Sequence, residues 1–300
     1  MKHVVSVSLG SSKRDFSEEV AFLGQPILVE RIGVDGSLDA FAAKMAELDG
    51  KVDALGIGGA DLYLWVGRRR YVFRDIARCV AGVKTTPVLD GSGLKNSIER
   101  ETVRFLQANG IVDFAKARTL VTSALDRFGL AEELVAQGGP VVFGDVMFAL
   151  GLAVPIRRLS TMHLLARVLL PAISRLPFTW VYPTGSSQET VRPRFGKYFA
   201  WADVIAGDYH YIRRRMPDHL EGKTILSNTT RESDLEMLRE RGVARLVTST
   251  PEINGKSPGT NVFEAIIVAL SEKPASQLTA DDYMLKVREM GWQPRIVDLA

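Results

Sequence analysis

The stretch TILSNTTRESDLEMLRERGVARLVTST, residues 224–250, decides the fold. Thr224–Leu226 and Leu246–Thr248 are short runs of the kind buried on both faces of a sheet, and Glu232–Arg241 between them reads as a helix. A strand, a helix and a second such strand in about 25 residues form a βαβ unit, which requires parallel strands.

The same alternation extends in both directions. Upstream lie strands at Pro87–Asp90, Thr119–Thr122, Val141–Phe143 and Val204–Ala206, with helices at Ser97–Ala108 and Ala131–Gln137; downstream, Asn261–Leu270 reads as another helix. The first ninety residues are more varied. Val4–Leu9 and Val52–Ile57 read as strands, Ser37 caps a helix running to Leu48, and Phe16–Val34 folds back at Gly24-Gln25-Pro26 as a hairpin. A second hairpin turns at Gly67-Arg68 and leads into a helix over Arg74–Val80. The expected class is α/β, with largely parallel Rossmann-like sheets in two lobes and β-hairpins in the N-terminal part. Gly138-Gly139-Pro140 and Pro155 interrupt the pattern, so the lobes are expected to span residues 1–145 and 146–300.

Composition narrows the functional classes. With 46% apolar and 24% charged residues, the 300-residue chain is an ordinary globular protein, large enough for one big or two medium lobes. A net charge of +3 gives no electrostatic footprint for nucleic acid, despite the runs Arg68-Arg69-Arg70 and Arg213-Arg214-Arg215. The single cysteine, Cys79, excludes an internal disulfide and reads as an inert small core residue. Lys2-His3-Val4-Val5 enters directly as a strand, so a cytoplasmic protein is expected. Met162–Tyr182 is apolar, but Arg167, Pro171, Arg175 and Pro177 break it too often for a membrane span. His163, Arg167 and Arg175 form one polar stripe there, which leaves a core helix or a homodimer interface through residues 160–176.

In an open parallel sheet, ligands bind beyond the carboxyl ends of the strands. Those loops carry Ser11, Ser12, Lys13 and Arg14; Asp90, Ser92, Lys95 and Asn96; Gly144 and Asp145; Asp208 and His210; and Asn228, Thr229 and Thr250. Such a rim suits a carboxylate, a phosphate or a polyhydroxylated acid. Asn96 with Glu99, Thr229 with Glu232 and Asn261 with Glu264 also match capping boxes, which would occupy the free amides. Ser11–Arg14 has two cations and no Glu at capping distance, so it is the first choice for an anion contact. Gly91–Ser97 lacks the spacing of a phosphate-binding loop, and no dinucleotide fingerprint or nucleophile elbow is present. His210, two residues from Asp208, is the best acid–base candidate, and no metal-ligand spacing is found.

Four segments, Val5–Arg14, Leu89–Lys95, Phe195–Asp203 and Gly259–Val262, make the chain resemble a bacterial family labelled quinate 5-dehydrogenase. The resemblance implies an oxidoreductase acting with NAD or NADP on a cyclic polyhydroxy acid of the quinate or shikimate type. It also implies a serine-rich substrate motif, which Ser6, Ser8, Ser11 and Ser12 echo, and a catalytic Lys–Asp pair, for which Lys95 and Asp90 stand at a different spacing. The family's glycine-rich cofactor turn has no counterpart. On this reading Ser11, Ser12 and Lys13 hold the small-molecule substrate, and Lys95 or His210 moves the proton. The alternatives are a non-redox transferase or lyase on a phosphorylated or carboxylated metabolite, and a metabolite-binding protein without catalysis.

Overall fold

The computed structural model describes residues 1–67, 69–177, 191–230, 232–250 and 258–300. Arg68 and residues 178–182 of the apolar stretch lie outside the described residues. The strands are β1 (Lys2–Ser8), β2 (Phe16–Phe22), β3 (Gln25–Gly33), β4 (Ala54–Gly58), β5 (Tyr63–Val66), β6 (Arg69–Val72), β7 (Val88–Leu89), β8 (Thr119–Val121), β9 (Val141–Phe143), β10 (Val204–Ala206), β11 (Thr224–Ser227), β12 (Arg245–Thr248) and β13 (Arg295–Asp298). The α-helices are α1 (Leu38–Leu48), α2 (Arg74–Cys79), α3 (Ser92–Ala108), α4 (Phe128–Ala136), α5 (Asp145–Leu150), α6 (Leu159–Ile173), α7 (Gly196–Trp201), α8 (Tyr209–Arg215), α9 (Glu232–Glu240), α10 (Thr260–Ala269) and α11 (Ala280–Glu289).

Two sheets result. The first has the order β2-β3-β1-β4-β7 and the second β13-β12-β11-β10-β8-β9; β5 and β6 pair separately as a hairpin. Each large sheet is parallel except at one edge, where β2 and β13 run antiparallel to their neighbours. The two-lobed, largely parallel α/β architecture is therefore as the alternation predicts. All strands of the first sheet lie before residue 90 and those of the second after residue 118. Residue 145, where the sequence pattern breaks, falls inside the second lobe.

The chain passes between the lobes along α3, again between β12 and α10, and again between α11 and β13. α10 is apolar on nearly every side because it is enclosed: it covers the first sheet, and α11 shares its core. Asn261 fixes it there, donating from Nδ2 to Ser6 Oγ at 2.8 Å. The last crossing is pinned by Trp292, whose Nε1 donates to Ser249 O at 2.9 Å. One apolar cluster, including Val103 and Leu106 of α3 and Leu130 and Leu134 of α4, joins residues of both sheets.

α6 buries Met162, Ala166 and Leu170, a single stripe at spacing four, while Leu164 and Val168 on its outer face are exposed. Among the described residues, no helix is long and apolar enough to cross a membrane. Cys79 is partly buried, and burial, with Asp75 and Asp39 adding to it, pushes its thiol pKa up, so the group stays protonated and inert.

Candidate functional site

The strongest concentration of buried charge lies where α3 crosses between the lobes. Its N-terminus is built by two carboxylates. Asp90 Oδ1 accepts from Ser92 N at 2.9 Å, and its Oδ2 accepts from the amides of Leu62 and Tyr63, both at 2.7 Å. Glu264, reaching over from α10, accepts from Gly91 N at 2.6 Å. These bonds start the helix five residues before the position read from the sequence, and they occupy amides that would otherwise attract an anion. Asn96 and Glu99 therefore sit inside α3, and Glu264 bonds across to another helix, so neither expected capping box forms there.

One turn into α3, Lys95 is buried and shared between two carboxylates: Nζ lies 2.7 Å from Asp126 Oδ1 and 3.1 Å from Asp61 Oδ1. Asp61 follows β4 in the first lobe, and Asp126 follows β8 in the second. Burial alone would lower the lysine's pKa, but Asp126 and Asp61 overcome it and hold the group above its usual value. Lys95 is thus a fixed cation and not a base.

Arg127 is the second cation. Its Nη1 bonds Glu99 Oε1, one turn beyond Lys95, and its Nη2 lies 3.0 Å from Asp208 Oδ2 at the end of β10. Its Nε is 3.6 Å from Asp126 Oδ2, beyond hydrogen-bond reach. Burial opposes the charge on Asp208, yet Arg127 keeps that carboxyl below its ordinary pKa. Burial pushes Glu99 upward even against Arg127. Asp145 supports this loop from behind by accepting from the amides of Ala124 and Leu125 at 3.2 and 2.8 Å; burial raises its pKa to about 7.

A narrow cleft opens over this network. It is lined by Tyr63 and Trp65 of the β5–β6 hairpin, Ser92, Lys95, Asn96 and Glu99 of α3, and Asp126 to Gly129. Arg70 stacks on both rings, its guanidinium carbon 4.3 Å from the centre of Tyr63 and 5.6 Å from that of Trp65. Such a surface presents alternating hydrogen-bond donors and acceptors beside aromatic faces.

Several expected site residues lie elsewhere or do other work. Lys95 does not pair with Asp90, whose two oxygens are taken by backbone amides. His210 is exposed, and its backbone amide donates to Asp208 Oδ1 at 2.9 Å, which makes Asp208 the cap of α8. Asp208 therefore serves Arg127 and a helix end, not the imidazole. The first loop is not a free anion site: Asp35 Oδ1 and Oδ2 accept from Ser12 N and Oγ at 2.9 and 2.8 Å, placing a carboxylate where the anion would sit. Ser11 Oγ accepts from Lys13 N at 3.3 Å, and Arg14 ends the same short turn. Thr250 Oγ1 donates to Asn228 O at 2.9 Å, with Thr229 half-buried beside them, so these three polar residues close the ends of β11 and β12. Of the expected residues, Ser92, Lys95 and Asn96 line the cleft, and Asp208 braces Arg127 behind it. Asp61, Glu99, Asp126, Arg127, Tyr63 and Trp65 were not anticipated. The loop after Thr119–Thr122 carried the signal, since Asp126-Arg127 follows a strand end directly.

Comparison with known proteins gives a family match. A model described as a domain of unknown function, DUF8754, matches residues 93–299, more than half the chain. The chain belongs to the DUF8754 family. The DUF8754 region takes in α3, the whole second sheet and the two returning helices, and a second domain of unknown function, DUF8753, matches residues 3–90. No curated protein matches the chain. Solved structures that align along it include a periplasmic ribose ABC transporter protein from Conexibacter woesei, at 12% identity, covering 99% of this chain and 92% of that one, with a TM-score of 0.38. GanP, a glucose-galactose binding protein from Geobacillus stearothermophilus, aligns at 10% identity, covering 99% and 97%, with a TM-score of 0.39. A galactofuranose binding protein aligns at 10% identity, covering 97% and 100%, with a TM-score of 0.38.

These findings overturn the expected kinship with quinate and shikimate dehydrogenases, and the oxidoreductase reading falls with it. The two matching family descriptions, which together take in nearly the whole of the DUF8754 chain, name no dehydrogenase. At such TM-scores and identities none of the structural neighbours' ligands is carried over to this chain. The side chains agree with the correction, because the Lys95–Asp90 pair on which the resemblance leaned does not form.

Proposed function

We propose that the chain binds a small, uncharged, polyhydroxylated molecule in the cleft between its lobes and does not transform it. The observation that carries this reading is the state of the two cleft cations. Lys95 and Arg127 are each shared between carboxylates, so donors and acceptors are interleaved and held in place before any ligand arrives. Hydroxyl groups, which donate and accept at once, match such a lining. Four carboxylates, Asp61, Glu99, Asp126 and Asp208, surround the two buried cations, so these carry no spare positive charge for a carboxylate or phosphate; Arg70 lies at the rim, over the two rings. The rings of Tyr63 and Trp65 supply apolar faces for the carbon side of a polyol.

The test is thermal unfolding and calorimetric titration with glycerol, D-ribose, D-galactose and myo-inositol, set against phosphate, quinate and NAD⁺. A polyol at about 100 times its Kd should add roughly 2.7 kcal/mol of stability and raise the melting temperature by a few degrees. Asp126→Asn should weaken that binding by about tenfold, since it exchanges a charged acceptor for a neutral one. Stabilisation by phosphate, quinate or NAD⁺ with none by the polyols would sink the proposal. Chemical turnover of a bound polyol would sink its non-catalytic part.

A further inference from the structure

Large apolar side chains scattered singly over a surface are ordinary, whereas clustered ones mark a contact. Ten are exposed among the described residues, and three of these, Leu150, Leu152 and Val154, fall within five residues where α5 ends and the chain turns toward α6. They are 65%, 56% and 52% exposed.

Arg194 ties this loop to a cluster of arginines. Its Nη2 donates to Gly151 O at 3.0 Å, and its backbone amide donates to Arg215 O at 3.2 Å. Two residues earlier, Arg192 N donates to Arg214 O at 2.8 Å. The segment before α7 is thereby laid along the end of α8, which brings four arginines together. Burial first, and then Arg214, Arg194 and Arg192, hold the Arg215 pKa below its ordinary value. Carboxylates that would neutralise the cluster are scarce. After Asp145, which is buried, the next acidic residue in the sequence is Glu189, and the interval holds Arg157, Arg158, Arg167 and Arg175. Asp218, three residues past Arg215, lies 3.4 Å from Arg241. Residues 178–190 lie outside the described residues, but Glu189 is their single acid, so the surplus of positive charge does not depend on their course.

Aliphatic side chains beside an arginine cluster match an anionic bilayer in both respects, since apolar groups enter the acyl boundary while basic ones meet the headgroups. A second copy of the chain, related by a two-fold axis, would bring arginines against arginines. A nucleic acid would satisfy the arginines and leave the three aliphatic chains in water. We propose that the protein docks peripherally on an anionic membrane surface, inserting Leu150, Leu152 and Val154 and setting Arg192, Arg194, Arg214 and Arg215 on the headgroups. None of these residues lines the cleft, so the proposal stands apart from polyol binding.

The test is co-sedimentation of the full chain with vesicles of phosphatidylcholine alone or of equal parts phosphatidylcholine and phosphatidylserine. The chain should pellet with the anionic vesicles and not with the neutral ones, and added salt should release it. Arg192→Gln with Arg214→Gln should weaken that binding by about 25-fold, because each basic residue at such a surface is worth roughly fivefold; Arg192→Lys with Arg214→Lys should keep it. Leu152→Ser with Val154→Ser should weaken it by about tenfold and, both side chains being exposed, should leave the melting temperature within about a degree of the parent. Failure to pellet with anionic vesicles overturns the proposal. So does binding that either the Gln pair or the Ser pair leaves unchanged, which would place the contact elsewhere or make it one of charge alone. A Ser pair that melts far below the parent would show those side chains to be packed, and would overturn their insertion. If vesicles are ignored and the chain binds single-stranded or duplex DNA through the same arginines, the partner is a nucleic acid and the membrane assignment is wrong. It is equally wrong if vesicles are ignored and the Ser pair dissociates a dimer in analytical ultracentrifugation.

Discussion

Gly207 shows how narrowly single positions are defined around the site. It follows β10 with φ at +132°, and a Cβ there would lie 2.4 Å from Thr122 Oγ1 and 3.1 Å from Ser123 Oγ. Gly207→Ala therefore combines backbone strain with overpacking, each typically about 1–3 kcal/mol, and a loss of roughly 2–4 kcal/mol is expected. Urea denaturation measures it, and a loss under about 0.5 kcal/mol would mean the loop after β10 relaxes freely. At this scale the sequence was read unevenly. Lys95 reads from the sequence as a proton carrier beside Asp90, and its actual partners escape that reading because Asp61 and Asp126 lie 34 and 31 residues away. Ser12 and Lys13 looked free for an anion because Asp35, which fills that place, is 23 residues from Ser12 and outside any capping pattern.

Elements were legible where a local pattern determines them. Ser37 caps α1 as read, its hydroxyl accepting from Ala40 N at 3.1 Å, and both hairpins stand where glycine and an alternating pattern put them. The start of α3 was misplaced because it depends on Glu264, 173 residues away in sequence from the amide it receives. Burying Glu264 at that helix end has a measurable signature. Burial first, and then Asp90, raise the Glu264 pKa from 4.5 to about 8. The folded protein therefore binds this proton more tightly than the unfolded chain does. The resulting stability is full below about pH 4.5 and is lost as pH rises through about 8, with a slope of up to roughly 1.4 kcal/mol per pH unit. Asp145, raised from 3.8 to about 7, acts in the same direction over a lower window. Urea midpoints for the parent should fall between pH 5 and 8, and Glu264→Gln should remove much of that fall. A variant with the parent's full pH slope would show that Glu264 is not the group titrating.

At the scale of the whole molecule, the two sheets were readable from alternation alone, but their junction was not, because chain order does not reveal that α3 lies across both lobes or that α10 returns to the first. Arg127 makes that junction electrostatic. It stands in the second lobe, and it neutralises Glu99 on the crossing helix and Asp208 at the cap of α8. Arg127→Met keeps most of the side-chain bulk and leaves both carboxylates without their cation. Removing one partner of a buried pair costs about 3–5 kcal/mol, and Asp208, with 19% of its side chain exposed, places the expectation at the lower end. The penalty exists only while the carboxylates are ionised. In the variant their folded pKa values rise, so the deficit relative to the parent should be largest near pH 7.5 and should shrink as pH falls toward 5 and the orphaned groups take up protons. Denaturation of parent and variant at both pH values distinguishes charge from packing. A deficit equal at the two would mean that Arg127 holds the lobes together by its bulk, and the ion-pair account of the junction would then be wrong.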